Sequence, residues 1–198
     1  MERRTTACFK KKAIAEQYRI YYADEASVSL TSYVARTYAK RGRRPILEVN
    51  TEISQRLYIA GAVSSEGDLA YQVRDKPFDG TTMTAFLSQL LHSCEPQQQK
   101  VMVIWDNASI HNCAATHAFL SSDQQAKQRL HLAQQPRYCP NLNAAEQLWA
   151  HLKCEGLKST CFHTLQELRP KLTQELDKLK NNPNLIRQFF LHPDLGYS

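Results

Sequence analysis

Three acidic side chains stand at places where a sheet-based site needs them: Asp24, Asp106 and Glu146. Asp24 follows the run Tyr18-Arg19-Ile20-Tyr21-Tyr22-Ala23, Asp106 follows Val101-Met102-Val103-Ile104-Trp105, and Glu146 stands three residues after Asn143. Three carboxylates without His or Cys companions form a hard oxygen site, which favours Mg²⁺ or Mn²⁺ over zinc. Two such ions about 4 Å apart activate an attacking oxygen and stabilise a leaving oxygen in phosphodiester chemistry. Each residue also has a plainer reading. A strand-end Asp is often a turn residue, Asp106 can cap a following helix, and Glu146 can close a capping-box-like turn with Asn143.

The elements around these residues decide whether they can meet. The aromatic, β-branched stretch 18–23 suits a strand, as does 28–33. Arg56 to Val63 reads as a buried strand breaking near Gly61, with Leu69 to Val73 as its hairpin partner across Glu66-Gly67-Asp68. Asp79 caps a predicted helix reaching Ser93, with Met83, Phe86, Leu87 and Leu90 at helical spacing. The unbroken apolar run 101–105 predicts a central strand covered on both faces. A helix is expected over Ile110 to Leu120 and a short strand at Leu130-His131-Leu132. After an irregular loop from Pro136, Asn143 caps a helix whose stripe is Ala145, Leu148, Trp149 and Leu152. Thr164 and Glu167 form a capping box for a further helix striped with Leu168, Leu172, Leu176 and Leu179, which Pro170 kinks or restarts. Asn182-Pro183 opens a last short helix with Phe189 and Phe190. Strands followed by alternating helices and strands predict an α/β fold: a mixed sheet flanked by helices, with a C-terminal helical extension. The expected organisation is a basic segment 1–17, a sheet-bearing domain 18–160 and a helical extension 161–198. Ligands in open α/β sheets gather beyond the carboxyl ends of strands, where Asp24 and Asp106 are expected.

Charge is unevenly placed. Residues 1–50 hold 11 Lys/Arg against 5 Asp/Glu, whereas residues 51–198 balance, so the whole net charge of +6 sits near the start. Lys10-Lys11-Lys12 and Lys40-Arg41-Gly42-Arg43-Arg44 are the clusters, and such clusters attract phosphate backbones without reading sequence. The alternative is a solvated face. No run of 18 apolar residues occurs, and Met1 to Thr6 lacks a signal-peptide core, so a cytoplasmic chain with no membrane partner is expected. The six cysteines form no CxxC pair and are read as free thiols. Cys154, Cys161 and His163 do not match the spacing of a common zinc site.

Val103-Ile104-Trp105-Asp106-Asn107-Ala108-Ser109-Ile110-His111 resembles the central Asp-Asn motif of DDE transposases of the mariner superfamily, and most of all the insertion sequence 630 family. Pro136-Arg137-Tyr138-Cys139-Pro140-Asn141-Leu142-Asn143-Ala144-Ala145-Glu146-Gln147-Leu148-Trp149 resembles that family's P-x-Y-S-P-x-L-N-P-x-E-x-x-W, and Tyr22 to Ser27 its first-Asp motif. The motifs occur in the family's order over about residues 18–160, with 39 residues between Asp106 and Glu146. Cys139 replaces the usual Ser and Ala144 the usual Pro. The second change removes only a favourable helix start.

The resemblance implies an RNase H-like, retroviral integrase-like fold and two Mg²⁺ ions, with Mn²⁺ as a substitute, held by Asp24, Asp106 and Glu146. It implies cleavage of transposon-end phosphodiesters and strand transfer into target DNA at TA. It places Asn107 and His111 beside the site, to orient a carboxylate or DNA or to cap a helix. Lys153, one helical turn after Trp149, faces the side of Glu146 and can meet a phosphate or simply solvent. Lys40, Arg41, Arg43 and Arg44 are the expected DNA contacts, while Tyr138 and Trp149 are read as packing residues. The implied partners are DNA, a second copy of the chain, and a helix-turn-helix region, here on a separate chain of a bacterial, nucleoid-associated system. Only about 17 residues precede the first strand, which fits a split reading frame, a truncated copy or an excised domain. Two other readings stand beside this one: a metal-dependent nuclease of the same fold, and a non-catalytic DNA-binding or assembly module from a decayed or domesticated transposase.

Overall fold

The computed structural model describes residues 9, 11–34, 38, 40–44, 46, 48–51, 54–94, 99–136 and 143–191. Tyr138 and Cys139, and most of the loop before Asn143, lie outside them, as does Lys10. Five strands form one mixed sheet: β1 (Tyr18–Ser29), β2 (Arg56–Ser64), β3 (Leu69–Arg74), β4 (Lys100–Trp105) and β5 (Leu130–Gln134), in the order β3-β2-β1-β4-β5. The first three strands form an antiparallel meander, and β4 and β5 run parallel to β1. Helices α1 (Gly80–Ser93), α2 (Ala114–Ser122) and α3 (Gln124–Arg129) supply the crossovers before β4 and β5, and α4 (Ala144–His151), α5 (Leu165–Lys180) and α6 (Pro183–Gln188) follow. Among the described residues, no helix is long and apolar enough to cross a membrane.

Period-two alternation divides the apolar residues of the sheet between two cores. Tyr22, Val28, Ile59, Val63, Met102 and Ile104 pack against Leu148 and Trp149 of α4 and Leu168, Leu172 and Leu176 of α5. Tyr21, Ala23, Ala60, Val101, Val103 and Trp105 pack against Met83, Phe86, Leu87 and Leu90 of α1. The central strand is thus covered on both faces, as its unbroken apolar run predicts.

Several boundaries differ from the sequence reading. Residues 28 and 29 continue β1, and Tyr33 makes only an isolated bridge with Lys158, so no separate strand spans 28–33. β2 does not break at Gly61 but pairs on both sides to Ser64, because close helix packing, not a turn, is what this glycine serves. The expected helix over 110–120 is divided into a 3₁₀ turn at Ser109–Asn112 and α2, separated by extended Cys113. Pro170 does not restart the helix: α5 runs unbroken through it for 16 residues. The caps follow expectation: the side chains of Asp79, Asn143, Thr164 and Asn182 each accept a first-turn backbone N–H. Glu167 reaches past its own cap residue and accepts from His163 N at 2.9 Å.

Candidate active site

The register of β1 against β4 puts the first two acids at equivalent places along neighbouring chain segments. Tyr22 pairs with Ile104 at the end of the parallel ladder, so Asp24 and Asp106 each stand two residues further on. Neighbouring strands lie about 4.8 Å apart, so these backbones leave the ladder side by side. Asp24 does not follow its strand, as the sequence suggested, but sits within β1 opposite Gly61 of β2. Alternation places it on the same face as Tyr22, the face that α4 covers.

Helix α4 begins where Asn143 clamps it to the sheet. Buried Asn143 accepts from Ala145 N at 3.0 Å and donates through Nδ2 to the carbonyl of Ala23 at 3.2 Å. The cap that starts the helix therefore also fixes it beside Asp24. Exposed Glu146 follows in the first turn, and Trp149, one turn later, donates through Nε1 to Asp24 Oδ2 at 2.9 Å. Gly61 makes that contact possible: a Cβ at this position would lie 2.6 Å from the Trp149 ring. Burial and the nearby charge of Glu146 push the Asp24 carboxyl up to about 7, although the Trp149 hydrogen bond pulls it down. A half-buried carboxylate whose proton affinity is raised by burial and a neighbouring negative charge suits a multivalent cation. The donor set, carboxylate oxygen alone, fits Mg²⁺ or Mn²⁺.

Asp106 is held from the other side of the sheet. It follows β4; its Oδ1 accepts from Ala108 N at 2.8 Å, and His111 Nδ1 bonds to the Asp106 carbonyl at 3.2 Å and lies 3.0 Å from Oδ1. His111 is buried, stacks on Trp105 at 4.2 Å and 7°, and meets Glu25 Oε1 through Nε2 at 2.9 Å. Burial opposes the charged imidazolium, but the hydrogen bond and charge of Glu25, joined by Asp106, outweigh it and raise the His111 pKa. The 3₁₀ turn that interrupts the expected helix is what seats His111 under Asp106. Asn107 donates to the Gln135 carbonyl at 2.7 Å, tying the end of β4 to the chain leaving β5.

Some sequence-level roles change here. Trp149 is buried, but it also holds Asp24, so packing is only part of its task. A Gly inside a strand pattern and a Trp one turn after an acid were the available signals. Glu25 carried no signal of its own, since alternation sends it to the face opposite Asp24. Lys153 falls in a π-helical turn, Leu152–Gly156, closed by Leu157 N to Leu152 O at 2.9 Å. This wider turn shifts the helical phase by which Lys153 was assigned to the Glu146 side, and the residue is only partly exposed. Lys40, Arg41, Arg43 and Arg44 are all exposed around a turn in the β1–β2 connection, with Gly42 at φ 81° and Arg43 N donating to Lys40 O at 2.9 Å.

The family model described as DDE superfamily endonuclease matches residues 19–169, from the first strand into α5. The chain belongs to that superfamily. Among solved structures, this DDE endonuclease chain is similar to the catalytic domain of Mos1 mariner transposase, with a TM-score of 0.64 at 14% identity, covering 98% of this chain and 91% of that one. It is also similar to the Mos1 mariner paired end complex with Mn (TM-score 0.65, 15% identity, 100% of this chain and 63% of that one). The Mos1 strand transfer complex matches with a TM-score of 0.63 at 15% identity, over 100% of this chain and 62% of that one. This chain thus spans about three fifths of the chains in those two complexes. These matches establish the RNase H-like fold expected from the motifs. Among curated proteins, none matches the chain.

Proposed function

We propose that this chain is the catalytic domain of a DNA transposase, in which Asp24, Asp106 and Glu146 hold two Mg²⁺ ions. The observation that supports this reading is that Asp24 and Asp106 each lie two residues beyond the paired Tyr22 and Ile104, with a helix that brings the charge of Glu146 near Asp24 and ties Trp149 to it. Mg²⁺, or Mn²⁺ in its place, supplies Lewis-acid stabilisation of the attacking and leaving oxygens when bound. The protein's part is positional. Trp149 fixes one oxygen of Asp24, the Ala108 amide fixes one oxygen of Asp106, His111 holds the Asp106 carbonyl beside it, and Glu25 holds the far side of His111. Water attacks a phosphodiester at the transposon end, and the freed 3′-hydroxyl then attacks target DNA, at TA. Lys40, Arg41, Arg43 and Arg44 contact phosphates along the duplex. The working assembly is a homodimer that pairs two transposon ends, with end sequence read by a helix-turn-helix region, in the bacterial cytoplasm at the nucleoid.

The test is strand transfer from pre-cut transposon-end DNA in Mg²⁺, together with cleavage of uncut ends. Asp106→Asn and Glu146→Gln should fold, as checked by circular dichroism, and lose both activities. Cleavage without joining by the wild type would favour a nuclease. Near-wild-type cleavage by either folded variant would remove the carboxylates from the chemistry.

A further inference from the structure

A second group of metal-ligating side chains lies away from the three acids. Glu48, Cys161 and His163 bring a carboxylate oxygen, a thiol sulfur and an imidazole nitrogen within 4.8 Å of one another. His163 Nε2 is 3.4 Å from Glu48 Oε1 and 3.9 Å from Cys161 Sγ. Tetrahedral zinc with bonds of about 2.0–2.1 Å to N and O and 2.3 Å to S requires roughly 3.4 Å between N and O and 3.6 Å between N and S. The first separation already has that value, and the second is a few tenths of an ångström too long.

The backbone around the three residues is fixed independently of any ion. Phe162 is buried in the core between Cys161 and His163, so alternation along this stretch leaves both ligands outside. Asn50 Nδ2 donates to the Phe162 carbonyl at 2.7 Å, and Asn50 is itself paired through its backbone to Ser32. Ser159 N donates to Tyr33 O at 2.7 Å, and Glu167 accepts from His163 N. Two segments more than a hundred residues apart are thereby placed with their ligands facing one another. The sequence offered Cys154, Cys161 and His163 as a zinc set without the right spacing. The fold replaces Cys154 with Glu48, which sequence spacing cannot show.

We propose that Glu48, Cys161 and His163 bind one Zn²⁺-class ion, with a water completing the tetrahedron. Thiolate, imidazole and carboxylate together are a borderline-soft set, the opposite of the oxygen-only set of the three acids, so the two sites take different ions. Binding converts the Cys161 thiol to a thiolate and releases one proton, and the thiolate and carboxylate together neutralise the ion. The ion ties the β1–β2 connection, which carries Lys40 to Arg44, to the segment entering α5. This inference does not depend on the transposase reading.

The experiment is titration of the reduced 198-residue chain with Co²⁺ in excess Mg²⁺. Co²⁺ bound by a thiolate absorbs in the near ultraviolet, a signal the carboxylate site cannot produce. One equivalent should saturate the band, and Zn²⁺ should bleach it. Cys161→Ser should abolish it, His163→Ala and Glu48→Gln should weaken binding at least tenfold, and Cys154→Ser should leave it intact, all with unchanged circular dichroism. No band in the wild type, or a full band in Cys161→Ser, would overturn the site. Unchanged affinity in Glu48→Gln would overturn the link to the β1–β2 connection. As a second readout, Zn²⁺ should slow tryptic cleavage after Lys40, Arg41 and Arg43 in the wild type and not in Cys161→Ser. Equal protection of both proteins would likewise count against the link.

Discussion

Replacing Asp24 by Asn should stabilise the metal-free protein at neutral pH while abolishing its metal-dependent activity. The folded protein raises this carboxyl from an ordinary value of 3.8 to about 7, through burial and the charge of Glu146. The native state therefore binds this proton more tightly than the unfolded chain does. Stability falls as pH rises from about 4 to about 7, and above that range the whole cost of the buried anion is present. A difference of about three pH units corresponds to a ceiling of about 4 kcal/mol. Relaxation and partial hydration of this half-buried position reduce that to roughly 1–2 kcal/mol. Asparagine keeps the shape and an oxygen for the Trp149 N–H at 2.9 Å, but carries no charge at any pH. With about 2–4 °C per kcal/mol for a chain of this length, the variant should melt roughly 2–8 °C higher than wild type at pH 8 in EDTA. The gap should close near pH 4.5, where the wild-type carboxyl is protonated in the native state. Mn²⁺ should reverse the order at pH 8, because only the wild type gains a paired charge. Calorimetry at both pH values, with EDTA and with Mn²⁺, measures all three outcomes. A variant less stable than wild type at pH 8 in EDTA, or a gap independent of pH, would refute the account of Asp24 as a strained anion awaiting a cation.

Gly61→Ala should destabilise the fold by about 1–3 kcal/mol, since its Cβ would meet the Trp149 ring at 2.6 Å, and denaturant unfolding reads this directly. Its Mn²⁺ affinity should fall as well, because Trp149 must withdraw from Asp24. Trp149→Phe removes the N–H that favours ionised Asp24 but keeps most of the packing; Mn²⁺ affinity at pH 7 should drop roughly tenfold, by calorimetric titration, as expected for a hydrogen bond to a charged group. Replacing Arg41, Arg43 and Arg44 together by Ala should weaken binding to any duplex evenly and lower the salt slope by about one per lost phosphate contact, measured by fluorescence anisotropy across a salt series. Unchanged salt dependence would place the DNA path elsewhere.

The sequence by itself determined the local pieces. Caps at Asp79, Asn143 and Thr164, the apolar run 101–105 and the hairpin turn at 66–68 all depend on neighbours a few residues away, so their signals survive without the fold. The motif around Asp106 and the one from Pro136 to Trp149 were equally local, and they pointed to the family that the matched model then established. Tertiary structure decided the rest. Asp24 was legible as an acid near a strand end, but its place inside β1 opposite Gly61 depends on pairing with β2, which begins 32 residues later. That register turns Gly61 from an expected strand break into the gap through which Trp149 reaches Asp24. Glu25, one residue from Asp24, is sent to the other face, where it meets His111 from 86 residues away. Glu48 meets His163 across a still longer stretch of chain. Periodicity fixes which face of an element a side chain occupies. What waits on that face is set by strand register and helix packing, and these are properties of the assembled core.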